Sequence, residues 1–177
     1  MGGAGGRAPE AAGPRVVTPP PPDRSISSVL VRAFLFAAVG YLLVYAVGYT
    51  VVGIWRRSGG SPNGGLLGNA ALAAYVFLVT AVPAAFGFAV VTSPWPSFRD
   101  LSPRVVALVS AAGGAATCLA QVTGIAGWLN WIPLPGVVGP IGAALRTLLP
   151  GIAVGVVALV GLRAVRLLRV GRAPASN

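Results

Sequence analysis

The chain has no histidine and no lysine, a single cysteine, and only three acids: Glu10, Asp23 and Asp100. Each shortage closes off a kind of chemistry. Without histidine, and with Cys118 alone, the usual zinc, haem and iron–sulfur ligand sets cannot be assembled within one chain. Cys118 lies in the middle of an apolar run and has no partner for an intrachain disulfide, so it says nothing about redox compartment. General acid–base work would fall to Tyr or Arg, and metal-assisted hydrolysis has no ligands. The glycines at 59–65 lie in a polar loop, not between a strand and a helix, so they are no phosphate cradle. The expectation is a protein that is not an enzyme and holds no cofactor or metal.

Charge of either sign is scarce. Of 177 residues, 9% are charged and 55% are hydrophobic, with a mean hydropathy of +0.81. A soluble domain carries about 25% charged residues. A chain this poor in charge cannot cover a water-facing surface, so most of its solvent must be lipid. The charge it has is one-sided, thirteen arginines giving a formal net charge of +10. Nucleic acid is not the expected partner, because the arginines sit in the tails and beside the apolar runs, with no folded basic platform to hold a strand. The anionic headgroups of a lipid bilayer are.

Four apolar runs are present, about 29–54, 70–92, 105–128 and 141–162. Each reaches the roughly 20 residues that cross a hydrocarbon core of about 30 Å. The backbone must satisfy itself in lipid, so each run is expected to be a helix. The fold class is all-α: a polytopic integral membrane protein, with four transmembrane helices in a bundle over 28–172. Residues 1–27 are rich in Gly, Ala and Pro, with four prolines at 19–22. They read as a disordered tail with a short polyproline piece, which is also compatible with a proline-motif ligand. The tail is not a secretory signal, because the apolar run that follows is too long. Residues 173–177 form a short C-terminal tail.

Arginine placement sets the expected orientation. The N-terminal region (Arg7, Arg15, Arg24, Arg32), the second loop (Arg99, Arg104) and the chain end (Arg163, Arg166, Arg169, Arg172) fall on one side and hold ten of thirteen arginines. Arg56, Arg57 and Arg146 fall on the other. Both termini are therefore expected in the cytoplasm, with the protein in the cell membrane. The third loop, 129–140, has no charge, and Trp128 and Trp131 suit the headgroup level. It reads as a compact loop on the outer interface, a re-entrant pore loop being the alternative.

Arg163, Arg166, Arg169 and Arg172 recur at every third position. That spacing resembles a voltage-sensing helix, and four spans fit the resemblance. Such a helix needs acids at membrane depth to pair its charges, and this chain has none there. The ladder begins where the hydrocarbon ends, so it reads as a membrane-surface anchor with snorkelling guanidinium groups. Arg146 sits about a turn and a half inside the fourth run. It either snorkels to the interface or faces an inner cavity as a site for an anion. Pro150 frees the Arg146 carbonyl and permits a kink there, as does Pro83 in the second run.

Small and polar residues mark the packing faces. Ser110, Gly114, Thr117, Gln121, Gly124 and Trp128 follow a 4-3-4-3-4 spacing on the third run. The fourth run offers Thr147, Gly151, Gly155 and Ala158, and the second offers Ala70, Ala73, Thr80, Ala84 and Gly87. Tyr41, Tyr45 and Tyr49 form a stripe on the first run, and their hydroxyls need partners. Gln121 and Thr117 are candidates, and a lipid, quinone or pigment ring is the alternative occupant. The expected function is that of a non-catalytic accessory or assembly protein, a homo- or hetero-oligomeric membrane partner included. The alternative is a small oligomeric transporter or channel, with a polar path near Gln121 and Arg146.

Overall fold

Hydrocarbon offers no partner for a peptide group, so each apolar run must make its own hydrogen bonds. A computed structural model describes residues 25–57, 66–125 and 139–170. Every element among them is helical. α1 spans Ile26–Arg57 and α2 spans Leu66–Tyr75; a π-helical turn, Val76–Ala81, leads into α3, Val82–Thr92. A short α4, Pro96–Arg99, precedes α5, Pro103–Val122, and α6, Gly139–Val170. Four stretches are long and apolar enough to cross a membrane: Ile26–Gly48, Ala71–Thr92, Pro103–Val122 and Gly139–Arg169. This is the all-α, four-helix transmembrane bundle. Most of the expected tail, the third loop over 126–138, Trp128, Trp131, and Arg172 with the chain end lie outside the described residues.

Local chemistry fixes the helix ends. Ser25 Oγ accepts from Ser28 N at 3.3 Å and starts α1 a little ahead of the apolar run. Ser102 Oγ accepts from Val105 N at 3.4 Å, and Pro103 follows at the first helical position, where its missing N–H costs nothing. α5 stops at Val122 because Gly124 takes φ +76° just beyond it, a left-handed cap that glycine adopts without strain. Gly124 therefore ends the helix instead of extending its packing face, and the seam read from the sequence runs only as far as Gln121.

Lipid is as apolar as leucine, so helices associate here by close packing, not by hiding apolar surface from water. α1 obeys this rule. Val29, Ala33, Ala37 and Tyr41 point inward and are buried, while the large Leu35, Val39, Leu43 and Val47 point outward. α1 packs chiefly against α5, and α3 against α6, with α1 also lying along α3. Both main crossings are built alike. A Cβ on Gly40 would stand under 3.0 Å from Ala111 O, and one on Gly114 under 3.0 Å from Ala37 O. In the other pair, a Cβ on Gly87 would meet Leu148 O, and one on Gly151 would meet Ala84 O, again under 3.0 Å. Each glycine thus faces the carbonyl of the residue three positions before its partner glycine. Residue numbers rise together, Ala37 to Gly114 and Tyr41 to Gln121, Val79 to Thr147 and Ala84 to Gly151, so both pairs are parallel.

One end of the bundle is stoppered. α4 directs Phe98 inward, where it is wholly buried and meets Phe88 edge to face, ring centres 6.5 Å apart at 78°. Val29, Val106 and Leu159 complete this cluster, so all four spans contribute to it. Arg166 of α6 holds the stopper from outside. Its Nη2 donates to Ser97 O at 2.8 Å, and its Nη1 lies 3.8 Å from Asp100 Oδ2.

Candidate functional site

The π-helical turn is where the second span departs from regularity, and Pro83 supplies the cause. Proline has no N–H, so the helix around Pro83 is one backbone donor short, and beside it the bonds reach five residues back, as from Val82 N–H to Phe77 O. An orphan carbonyl in hydrocarbon costs several kcal/mol. Here another span supplies a donor to the turn: Thr147 Oγ1 of α6 donates to Val79 O at 3.0 Å and to its own Ala144 O at 2.8 Å. Thr80 within the same turn donates back to Val76 O, a bond that bends helices.

The other side of this turn meets α1 and α5. Tyr41 Oη donates to Gln121 Oε1, and Thr80 stands beside the same phenol. Tyr41, Val76, Ala81, Ala84 and Cys118 form one buried cluster, with Tyr45 half-buried against it. One level of the bundle therefore gathers Tyr41 and Tyr45 from the first span, Thr80 and Val79 from the second, Cys118 and Gln121 from the third, and Thr147 from the fourth. Its polar groups are phenol, hydroxyl, amide and thiol, with no carboxylate or imidazole among them. That inventory can pin helices or hold a neutral polar group by hydrogen bonds. π-Turns often accompany functional sites.

The remaining sequence candidates separate into distinct places. Thr117 is buried, and its hydroxyl donates to Gly113 O at 2.8 Å on its own helix, not to Tyr41. Ser110 does likewise with Val106 O at 2.6 Å. Tyr49 lies on α1, and its side chain is outside the described residues. Arg146 is exposed on α6, as are Arg163 and Arg169. Arg166 belongs to the latch over α4. Its partner Asp100 lies in a loop, not at membrane depth.

Sequence reasoning missed Thr147 as a bonding partner for Val79, the π-helical turn, and Phe98. The first two had a signal, since Pro83 leaves the helix a donor short and Thr147 is the one side-chain hydroxyl on α6. Phe98 sat in a loop read for its charge alone. Compared with known proteins, the chain matches no family model, no curated protein and no solved structure.

Proposed function

We propose that the chain is a non-catalytic multi-pass membrane protein acting by assembly, an accessory subunit that packs against another membrane protein. The observation that carries this reading is how the described interior is filled. Backbones meet at Gly40, Gly114, Gly87 and Gly151. The buried hydroxyls of Thr92, Ser93, Ser110 and Thr117 are satisfied by carbonyls of their own helices. The polar groups thus serve packing, while most large apolar side chains outside the Phe88–Phe98 cluster lie on the outer faces. The arginine asymmetry supports both termini in the cytoplasm, in the cell membrane.

The test is purification of the tagged chain in mild detergent, with mass spectrometry of what stays bound. A partner protein at fixed stoichiometry is the expected result. A chain that self-assembles without a partner and carries solute into liposomes would overturn the reading. Loss of that flux in Arg146→Leu would then assign Arg146 to the path. For the orientation, a reporter inserted in the segment 126–138 should read outside, and an inside reading breaks it.

A further inference from the structure

We propose that the N-terminal end of α1 carries a binding groove for one anionic phospholipid. The inference requires that α1 cross a bilayer; it does not depend on whether the chain also binds a protein partner. Ser27, Ser28, Val31, Arg32, Leu35 and Phe36 line an open groove of about 510 Å³. Ligand sites commonly span about 300–1,000 Å³, so the groove is large enough for a headgroup and the first part of an acyl chain.

The order of its residues along the helix favours a lipid. Ser27, Ser28 and Arg32 supply hydroxyls and a guanidinium toward the start of the span, which begins at Ile26. Val31 stands beside Arg32, and Leu35 and Phe36 continue the groove toward the hydrocarbon, each of the three more than 40% exposed. From Ser27 to Phe36 the helix rises about 14 Å at about 1.5 Å per residue, so the groove runs from the headgroup level into the acyl region. A free phosphate would use only the polar half. The apolar half needs a chain.

Charge selects the headgroup. The one acid among the described residues, Asp100, is engaged by Arg166. No described side chain gives Arg32 a counter-charge, and none in the groove is a carboxylate that would receive a choline cation. A headgroup of net negative charge complements the site, and a zwitterionic one does so only in part. The outer face of α6 at Val156 and Val157 is likewise exposed to lipid and has no polar side chain within a turn of it. It serves as an internal reference.

The test places the full chain in nanodiscs with a trace of photoactivatable phospholipid, its diazirine on the acyl chain. The headgroup is phosphatidylglycerol in one arm and phosphatidylcholine in the other, and labelled peptides are mapped. One arginine near an anionic surface contributes about 1 kcal/mol, which is about fivefold in occupancy. Labelling across 31–36 should therefore be about fivefold higher with phosphatidylglycerol, and equal for the two headgroups at Val156 and Val157. Arg32→Gln should bring the ratio at 31–36 to one, and Arg163→Gln should leave it unchanged. Equal labelling by both headgroups on the unaltered chain overturns the proposal, without need of a variant. So does loss of the ratio in Arg163→Gln, which would mean diffuse surface attraction. Competition by millimolar inorganic phosphate would point to a phosphate site, and cross-links from the groove to residues 1–24 would make the chain's own tail the occupant; either result refutes the proposal.

Discussion

The α1–α5 pair and the α3–α6 pair solve one packing problem with different materials. Both bring backbones together through reciprocal glycine–carbonyl contacts. α1 and α5 run past their crossing without an internal proline or π-helical turn, and the polar tie beside it runs between side chains, from Tyr41 to Gln121. The second span is interrupted by the π-helical turn and Pro83, so its tie runs from the Thr147 side chain to the backbone at Val79. The difference teaches that a helix defect in lipid is tolerated where a neighbour supplies the lost donor. The neighbour's hydroxyl then becomes part of the defect's stability.

The sharpest way to break the likeness is to give either crossing a side chain. Gly114→Ala and Gly151→Ala each drive a Cβ into a facing carbonyl, and backbone yields less than a side chain does. Overpacking typically costs about 1–3 kcal/mol, and these two should lie at or above the top of that range. Thermal unfolding in detergent, followed by helical circular dichroism, measures the loss. Gly161→Ala is the control, since nothing lies near its Cβ position. If Gly114→Ala unfolds no earlier than Gly161→Ala, the close crossing is wrong.

A second comparison sharpens the contrast between the ties. Thr147→Val keeps the shape and removes the hydroxyl, taking away the donor that α6 gives Val79 O, at a cost of about 1–2 kcal/mol. Thr147→Ser should restore most of it. Equal melting of the Val and Ser variants would show that the hydroxyl contributes nothing.

The side-chain tie should weigh less. A double-mutant cycle of Tyr41→Phe with Gln121→Leu should give a coupling of about 0.6 kcal/mol, and no more than about 1.7. Additive single effects would mean the bond does not form in the membrane. Smallest is the latch over α4. Arg166 and Asp100 are both well exposed, so Asp100→Asn should cost under about 1 kcal/mol, an effect that fades with added salt. An effect that persists in high salt would refute a screened surface pair.

The spans were legible because length and hydropathy are nearly sufficient in lipid. Gly114, Gly151 and Gly87 were legible as packing residues because small side chains at helical spacing have one common use there. Ala37 and Gly40 were obscured by the tyrosine stripe beside them, although they carry the first span's share of the crossing. Gly124 shows the limit of spacing arguments. It falls in register with the seam, yet its backbone conformation ends the helix. The π-helical turn depends on how Pro83 meets α6, a tertiary fact that no local pattern contains. Phe98 was hidden for the same reason, since its burial depends on where α4 lies relative to four spans.

The parallel pairing also sets a timetable for biosynthesis. Gly114 follows Gly40 by 74 residues. At about 5–20 residues per second, the third span leaves the ribosome roughly 4–15 s after the first. During that interval the first span's glycine face has no α5 to cover it, and the second span waits in the same way for Gly151 of the fourth. The bundle must therefore close after insertion, with its halves interleaved rather than built hairpin by hairpin. A chain arrested after its second span would present two open backbone faces to whatever membrane helix lies nearby.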